Sequence, residues 1–271
     1  MFVHGMLGAG KNWRSFSGNL MRAARAAGRA NWGMVLVDLR NHGRSSRTAR
    51  LEGPHTLEAA AGDLIDLCEA EFGGKTPDLL VGHSLGGKVV LEYLRTLRQR
   101  GGLQLPESAW VLDSVPNRVP PGPTTREIEH VLKAVRPLYD APVPSRKWLH
   151  ETLSAQGFSE AFIGWLGSSL EWDPANKAFY WNFDLDGVAE MFRSYCDSDY
   201  LADLAAPPAG TEVNLVVAER SDRWTFETLE ALEGLAATTP NFHLRHLADA
   251  GHWLHVDNPA GLLGMVRSAV E

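Results

Sequence analysis

The sequence predicts an α/β fold in which a mostly parallel sheet is covered by helices on both faces and is interrupted by an inserted helical segment. Short apolar runs rich in β-branched residues alternate with amphipathic helical stretches along most of the chain. This alternation stops after Asp113 and resumes near Val213. The 271 residues, 44% of them hydrophobic, are enough to bury the core of one large domain.

The first predicted element is a strand at the start of the chain, and five further strands follow it. They are predicted at Phe2–His4, Met34–Asp38, Leu79–Gly82, Trp110–Asp113, Val213–Ala218 and Phe242–Leu247. Helices are predicted at Asn12–Ala27, Leu57–Phe72, Leu85–Arg98, Trp224–Leu232 and Pro259–Val270. In the third of these helices, apolar residues recur at the 3.6-residue spacing of a buried helix face. These strands and helices form the predicted α/β core.

An inserted segment is predicted between the fourth and fifth strands. It opens with prolines, which halt regular structure, at Pro116, Pro120, Pro121 and Pro123. The elements predicted after them are helices at Thr125–Val135, Ser145–Ala155 and Ser159–Leu170, an extended run at Phe179–Phe183 and a helix up to Tyr195. The chain is therefore expected to divide into a first part of the core at 1–114, a helical cap at 115–200 and a second part of the core at 201–271.

Composition argues against several classes of function. Lys and Arg total 26 against 33 Asp and Glu, so the net charge is −7 and no basic face is available for nucleic acid. The two cysteines, Cys68 and Cys196, are too few for a disulfide framework and have no spacing that would hold zinc, which favours a reduced, intracellular setting. No apolar run approaches the ~20 residues that cross a bilayer. We expect a soluble protein without nucleic-acid partners or a membrane span.

The most specific motif is a G-x-S-x-G sequence at residues 82–86, centred on Ser84. It follows a predicted buried strand and precedes a predicted helix. In that context a serine is held in a strained turn with its hydroxyl exposed, while the flanking glycines let strand and helix pass close to each other. The bare pentapeptide also arises by chance in structural turns. The strand before it and the helix after it favour a catalytic nucleophile.

A serine nucleophile needs backbone N–H groups that hold the oxyanion of the reaction intermediate. The helix that begins at Leu85 directs its first N–H groups at the serine. The first strand ends in the turn Gly5–Gly8, where the N–H of Met6 is the candidate for a second donor, although this turn could equally do no more than end the strand. The turn Asp38–Ser45 after the second strand is predicted to be a hydrogen-bonded structural turn without a catalytic role.

The general base is expected on a loop late in the chain, where it can reach the serine without disturbing the sheet. His252 fits this description because it follows the last predicted strand, lies next to Gly251 and precedes the final predicted helix. His255 is the less favoured base because it lies on the way into that helix.

These motifs together resemble the α/β-hydrolase fold over nearly the whole chain. They are His4-Gly5, Asp38–Ser45, Gly82–Gly86 and Gly251-His252, in that order. Within that superfamily, residues 4–8 followed by Asn12-Trp13, together with residues 251–255, resemble the esterases of the abhydrolase domain-containing protein 11 group and their bacterial relatives. The resemblance implies hydrolysis of small acyl esters and some lipid esters beneath a helical cap.

The resemblance leaves two candidates for the acid of a Ser-His-acid triad. Most of the superfamily places the acid after the strand predicted at Val213–Ala218, which suggests Asp222, although the match of the local turn puts Ser221 at that position. The esterase group places the acid at the end of the strand after the nucleophile helix, where this chain has Asp113. We favour Asp113. Asp222 is then interpreted as the N-cap of the helix predicted at Trp224–Leu232, and Ser221 as a hydrogen-bonding neighbour of the histidine.

The fold that this resemblance implies usually has two strands before the strand that leads into the oxyanion turn, whereas this sequence begins directly on that strand. We expect either that a leader is missing or that the protein does without the first hairpin. If a leader is missing, an organellar targeting segment could be missing with it. The expected location is therefore cytoplasmic, or mitochondrial or plastid if there is such a leader.

The sequence thus predicts a serine hydrolase of carboxylic esters that needs no metal or organic cofactor. The predicted site residues are Ser84, His252 and Asp113 as the triad, with Met6 and Leu85 as oxyanion donors. The alternatives are a ligand-binding protein on a hydrolase scaffold with little turnover, and a thioester or amide hydrolase. The expected partner is a small apolar ester, and the expected state is a monomer or homodimer.

Aromatic residues are concentrated in the predicted insertion. Of the 24 in the chain, the members within residues 115–200 are Tyr139, Trp148, Phe158, Phe162, Trp165, Trp172, Phe179, Tyr180, Trp181, Phe183, Phe192, Tyr195 and Tyr200. We expect about half of them to form the core of this segment and the rest to line the roof of a pocket over Ser84. Such a pocket would select an acyl or aryl ester.

Overall fold

The computed structural model of the protein describes residues 1–47, 51–101 and 104–270. Its strands are β1 (Phe2–Val3), β2 (Leu79–His83), β3 (Ser108–Leu112), β4 (Leu170–Asp173), β5 (Ala178–Trp181), β6 (Glu212–Ala218) and β7 (Phe242–Leu247). Five of these form the main sheet in the order β1-β2-β3-β6-β7, and every neighbouring pair in it is parallel. The strands β4 and β5 form a separate antiparallel pair.

Helices cover both faces of the main sheet, as predicted. In the first half of the chain they are α1 (Arg14–Ala26), α2 (Leu57–Phe72) and α3 (Leu85–Arg100). The later helices are α4 (Pro123–Tyr139), α5 (Arg146–Ser154), α6 (Glu160–Gly167), α7 (Leu185–Asp197), α8 (Leu201–Ala205), α9 (Phe226–Thr238), α10 (Leu254–Asp257) and α11 (Pro259–Val266). Apolar residues of α1 and α11 pack together on one face, and those of α2, α3 and α9 pack on the other. The predicted α/β class with a mostly parallel sheet is confirmed.

The second predicted strand, Met34–Asp38, is much shorter than expected. Only Leu36 forms a bridge, parallel to Phe2. The N–H of Phe2 donates to the carbonyl of Val35 at 2.8 Å, and the N–H of Val37 donates to the carbonyl of Phe2 at 3.2 Å. Because the neighbouring strand β1 has only two residues, it offers too few backbone groups for a longer ladder.

Residues 115–200 lie between β3 and β6 and contain the helices α4 to α7. The prediction missed a β-hairpin in this segment. The helix predicted at Ser159–Leu170 ends at Gly167, and Leu170 begins β4, which pairs with β5. Two glycines and two adjacent serines between 164 and 169 weaken the helix at this point, whereas the apolar spacing alone favoured its continuation. The segment is therefore mixed rather than purely helical, and the proposed divisions after 114 and 200 stay a prediction.

The carboxyl ends of the parallel strands meet at one edge of the main sheet, as they do in other open α/β sheets. The segments that leave β1, β2, β3, β6 and β7 therefore come together there. In the part of the chain that the structure describes, no helix is both long and apolar enough to span a membrane.

Candidate active site

Ser84 lies in a sharp turn between β2 and α3. Its backbone has φ 52° and ψ −119°, a left-handed conformation that is rare for a residue with a side chain. A Cβ atom on Gly82 would lie 2.2 Å from the carbonyl oxygen of Gly86, and one on Gly86 would lie 2.5 Å from the carbonyl oxygen of Val3. Both positions therefore require glycine. The turn holds the serine side chain at the edge of the sheet, as the motif predicts.

His252 lies in the loop between β7 and α10 and contacts the serine directly. Its Nε2 is 3.1 Å from the Oγ of Ser84. His83, the last residue of β2, holds this loop in place: its Nε2–H donates to the carbonyl oxygen of His252 at 2.7 Å. The two imidazole rings also pack together, with their centroids 4.7 Å apart. The imidazole is thus held within hydrogen-bonding distance of the Ser84 hydroxyl.

Asp113 follows β3 and is completely buried. Its Oδ2 accepts a hydrogen bond from Nδ1 of His252 at 2.7 Å and another from the hydroxyl of Ser221 at 2.6 Å. Its Oδ1 accepts from Nε1 of Trp224 at 2.6 Å and from the N–H of Ala218 at 3.2 Å. Burial opposes ionisation, but the hydrogen bonds and the charge of His252 outweigh it and hold the pKa of Asp113 below its usual value.

The pKa of His252 is lowered. Burial is the main cause and the positive charge of Arg223 is the second, while the hydrogen bond and charge of Asp113 only partly offset them. The imidazole is therefore neutral at neutral pH. With Nδ1–H donating to Asp113, Nε2 carries the free lone pair that faces Ser84.

The competing candidates lie elsewhere. Asp222 is exposed, and the helix α9 begins at Phe226 with the side chain of Thr225 as its N-cap, so the interpretation of Asp222 as an N-cap was wrong. His255 stacks on Trp13 with ring centroids 4.4 Å apart, and burial lowers the pKa of His255 to about 4. Ser221 forms its hydrogen bond next to the histidine, as expected, because it donates to the same oxygen of Asp113 that accepts from His252.

Met6 and Leu85, the predicted oxyanion donors, both line the cavity over Ser84. Within the described residues, the N–H groups of Met6 and Leu85 form no hydrogen bond. Two unpaired donors beside a serine hydroxyl are the arrangement that an oxyanion requires.

The turn that carries Met6 is held by a residue that the sequence prediction treated as structural only. Leu7 has a positive φ of 56°, and its N–H donates to Nε2 of His42 at 3.0 Å. Nδ1–H of His42 donates in turn to the carbonyl oxygen of Arg40 at 2.8 Å, which fixes the tautomer. Burial and the charge of His4 lower the pKa of His42 to about 3, so that it stays neutral and can accept.

Asp38 forms a hydrogen-bonded turn, as predicted. Its carboxylate accepts from the N–H of Gly10 at 2.7 Å and from the N–H of Arg44 at 2.9 Å. The hydroxyl of Ser45 donates to its carbonyl oxygen at 2.8 Å. This turn supports the chain that follows β1 and does not reach the serine.

The serine opens into a cavity with an empty volume of about 830 Å³, part of which is open to solvent. The residues from 115–200 that line it are Val115, Val119, Thr125, Glu127, Ile128, Phe162, Trp165, Phe192 and Tyr195. Arg223 and Trp253 complete the wall from the core side. The cavity is therefore mainly apolar, with an acidic and a basic side chain in its lining.

Fewer of the insertion's aromatic residues line the cavity than expected. Four of the thirteen do so, and several others, such as Trp181 and Phe183, form the core of the segment itself. Trp148 and Trp172 are 38% and 52% exposed. The expectation that about half would line the roof was wrong, because the hairpin that the sequence prediction missed uses aromatic residues of its own.

Arg223, Trp224 and His83 are parts of the site that the prediction missed. Arg223 and Trp224 lie in the loop after β6, which has no periodic pattern that would orient their side chains, and only the polar N–H of Trp224 could have suggested a hydrogen-bond partner. His83 ends β2 inside the G-x-S-x-G motif, and that motif specifies the serine and the glycines but not the partner of the residue between them. Among the described residues, no group of three or more His, Cys, Asp or Glu side chains is arranged to hold a metal ion.

The model of the alpha/beta hydrolase family matches residues 1–264 of the chain. The chain is similar to the sn-1-specific diacylglycerol lipase ABHD11 of Mus musculus, with 25% identity over 276 residues that cover 99% of this chain and 79% of the relative. It is also similar to esterase YbfF of Escherichia coli strain K12, with 21% identity over 98% of this chain and 91% of the relative.

Solved structures share the fold, and two of them illustrate the similarity. A marine microorganism esterase has a TM-score of 0.76 at 20% identity, with 98% of this chain and 93% of that chain covered. An E-2-(acetamidomethylene)succinate hydrolase has a TM-score of 0.72 at 18% identity, with 99% and 90% covered. At these identities the likeness concerns the fold alone.

Proposed function

Because this chain belongs to the alpha/beta hydrolase family, we propose that it is a serine hydrolase that cleaves carboxylic esters through Ser84, His252 and Asp113. The proposal is carried by one continuous line of contacts, from the serine Oγ to Nε2 at 3.1 Å and from Nδ1 to the aspartate at 2.7 Å. The relatives named as a lipase and an esterase support an ester as the substrate.

In the acylation step, Nε2 of His252 takes the proton of the Ser84 hydroxyl while Oγ attacks the ester carbonyl carbon. The N–H groups of Met6 and Leu85 stabilise the negative charge that develops on the carbonyl oxygen. Asp113 stabilises the imidazolium and keeps its ring oriented. The imidazolium then protonates the leaving alcohol, and the acyl group stays on the serine.

The deacylation step repeats this sequence with water. Neutral His252 takes a proton from a water molecule, which attacks the acyl carbonyl, and the same two N–H groups hold the second oxyanion. Collapse of this intermediate releases the acid and returns the proton to Ser84. Activity is expected to rise with pH through the pKa of His252, because only the neutral imidazole can accept a proton.

We also propose that residues 115–200 act as a cap whose underside selects the substrate. Phe162, Trp165, Phe192 and Tyr195 give the roof of the cavity an apolar surface suited to a small acyl or aryl group. An ester carbonyl placed at Ser84 would have its substituents against these rings.

The experiment that tests the proposed function compares the wild type with Ser84→Ala. The wild type is expected to turn over a p-nitrophenyl ester repeatedly and to be labelled by a fluorophosphonate. Ser84→Ala is expected to lose about 10⁶-fold in kcat and all labelling. Labelling retained in Ser84→Ala would contradict the proposal. Binding of the ester by the wild type without repeated turnover would indicate a ligand-binding protein instead.

A further inference from the structure

The wall of the cavity contains an arginine, Arg223, that is poorly paired by the described residues. Arg223 lines the same cavity as Ser84 and His252, and its side chain is only 15% exposed. Its Nε is buried and has no hydrogen-bond partner within the described residues. The nearest carboxylate oxygen, on Glu127, lies 3.9 Å from Nη2, too far for a hydrogen bond. A buried donor of this kind is unfavourable unless something else pairs with it.

The loop that carries Arg223 is held rigidly. The residue after it, Trp224, donates to one oxygen of Asp113, and Ser221 donates to the other. The loop on both sides of Arg223 is therefore tied to Asp113 through these two side chains. The Arg223 side chain therefore starts from a loop that is held by the same carboxylate that bonds to His252.

Glu127 does not neutralise Arg223 effectively. It lies on α4, its side chain is 56% exposed, and water and salt weaken an interaction at that distance. His252 is affected by both charges: Arg223 lowers its pKa, and Glu127 raises it by less. In a reaction where His252 must become positively charged, a cation nearby that is only partly compensated is a disadvantage.

We propose that Arg223 binds a carboxylate of the substrate, so that the preferred esters carry a free carboxylate in addition to the ester bond that Ser84 attacks. This inference rests on the proposed function. A guanidinium presents a planar fork of N–H donors that matches a carboxylate, and the pairing is strongest where water is largely excluded. The aromatic roof then contacts the apolar part that joins the two groups.

The proposal has a consequence for His252. A bound carboxylate compensates the charge of Arg223, which removes one of the two causes that lower the pKa of His252. The imidazolium formed during acylation is then easier to form in the complex than in the free enzyme. With a carboxylate ester, the pKa that governs kcat should lie above the one that governs kcat/KM. With a neutral ester, the two values should be close.

The first experiment measures kcat/KM for monomethyl glutarate and for methyl pentanoate, two esters that differ mainly in the terminal carboxylate. A parallel pair, acetoxyacetate and propyl acetate, carries the charge on the alcohol side. The wild type is expected to prefer the charged member of at least one pair. Arg223→Gln should reduce that preference about 10- to 100-fold, whereas Arg223→Lys should keep part of it. Equal rates for the charged and neutral members of both pairs in the wild type would overturn the inference.

The matched control is Arg220→Gln. Arg220 lies in the same loop but is exposed, and its guanidinium bonds to the carbonyl oxygen of Asp249 outside the cavity. Arg220→Gln changes the net charge of the loop by the same amount as Arg223→Gln but leaves the cavity unchanged. The ratio of kcat/KM for the charged ester to that for the neutral ester should therefore stay as in the wild type. A fall of the ratio equal to that of Arg223→Gln would show a general charge effect and overturn the inference.

A second variant distinguishes two roles for Arg223: binding of a substrate carboxylate, and a purely structural ion pair with Glu127 that joins the loop to α4. Glu127→Gln removes the competing carboxylate, so the preference for the charged ester should stay or increase. If the pair were purely structural, Glu127→Gln and Arg223→Gln would lower the rates for charged and neutral esters alike. That result would overturn the inference.

A binding measurement separates failure of this inference from failure of the proposed function. Calorimetric titration of Ser84→Ala with monomethyl glutarate reports binding without turnover, and the added Arg223→Gln change should weaken it about 10-fold or more. Hydrolysis without any charge preference would overturn the inference and leave the proposed function standing. Binding that depends on Arg223 in a protein that turns over neither these esters nor a p-nitrophenyl ester would support the carboxylate site and contradict the hydrolase proposal.

Discussion

The floor and the roof of the cavity are built by different kinds of contact. The floor (Met6, Ser84, Leu85, Asp113 and His252) lies at the ends of parallel strands. Asp113 alone accepts four hydrogen bonds, and Ser84 and His252 are joined by another. The roof (Phe162, Trp165, Phe192 and Tyr195) consists of aromatic side chains from the inserted segment. Its ring contacts include an edge-on pair, Phe162 and Trp165, with centroids 5.2 Å apart.

The two kinds of contact serve different purposes: the floor positions atoms precisely, and the roof determines which substrate fits. Hydrogen bonds are directional and fix the floor atoms at single positions, as acid–base chemistry requires. Apolar contacts depend mainly on area and tolerate changes in shape, so the roof can adapt to different substrates. Substitutions in the floor should therefore change the rate of reaction with every ester, whereas substitutions in the roof should change which ester is preferred.

After Ser84→Ala, the largest effect is expected from Asp113→Asn, which should lower kcat by about 10⁴-fold with little change in fold. An amide at this position favours the wrong tautomer of His252, because its NH₂ group donates where the carboxylate accepted. The measurement is kcat for a p-nitrophenyl ester, with thermal unfolding as the check on folding. Asp222→Asn is the matched control and should keep wild-type activity. The reverse outcome would assign the acid to Asp222.

The floor could be predicted from the sequence to a large extent, because its positions depend on backbone geometry that leaves a pattern. The glycines around Ser84 and the glycine before His252 follow their strands after a fixed number of residues, so the sequence pattern locates them. The partners of Asp113 could not be predicted in this way. Ser221 and Trp224 reach it from a non-periodic loop, and their orientation depends on how that loop packs in three dimensions.

The roof could be predicted only as a segment rich in aromatic residues. Helical periodicity shows that a helix has a buried face, but it does not show whether that face meets a cavity or the neighbouring helix. The hairpin of β4 and β5 was missed for a related reason. The apolar residues Trp165, Leu166 and Leu170 recur at helical spacing, although Leu170 belongs to a strand.

Lys88 connects the floor to the inserted segment. It is fully buried on α3, one turn after Ser84, and its Nζ donates to the carbonyl oxygens of Asn117 at 2.9 Å, Tyr195 at 2.6 Å and Ser198 at 2.8 Å. Lys88→Met leaves three carbonyl groups without this partner, and the free energy of unfolding is expected to fall by about 3–5 kcal/mol. Urea unfolding measures the change.

The control for this prediction is Lys147→Met. Lys147 lies on α5, its side chain is 86% exposed, and its ion pair within the described residues is with Glu151. Loss of an exposed pair of this kind should change the free energy of unfolding by less than ~0.5 kcal/mol. Equal effects of the two substitutions would mean that Lys88 does not hold the segment to the floor.

Acid should lower the free energy of unfolding through two histidines that lie next to the floor. Burial lowers the pKa of His255 to about 4 and, with the charge of His4, that of His42 to about 3. Their contribution to stability is therefore complete above the unfolded value of ~6.5 and is lost as the pH falls toward these lower values, because the unfolded chain binds more protons. Between pH ~6.5 and pH ~4, the protonation equilibrium of each histidine should lower the free energy of unfolding by up to about 3 kcal/mol.

The test of this pH dependence is the variant His255→Phe, which keeps a ring against Trp13 and removes one titrating group. A plot of the free energy of unfolding against pH should be flatter for this variant between pH ~6.5 and pH ~4 than for the wild type. An unchanged slope would mean that the pKa of His255 is not lowered in the folded protein.

The smallest effect is expected from the roof. Trp165→Ala removes a ring that packs against Trp253 with centroids 6.0 Å apart, so the cavity gains room over Ser84. We expect kcat/KM for the best-fitting acyl chain to fall about 10-fold and the optimum chain length to shift, since a pocket distinguishes neighbouring chain lengths by only about 1–3 kcal/mol. Trp172→Ala removes a ring of the same segment that is 52% exposed and should leave the chain-length profile unchanged. Labelling of Ser84 by a fluorophosphonate should persist in both variants, because the hydrogen bonds of the floor do not include either tryptophan. Loss of labelling in Trp165→Ala would mean that the roof also positions the catalytic groups, and the distinction between the two regions would then fail.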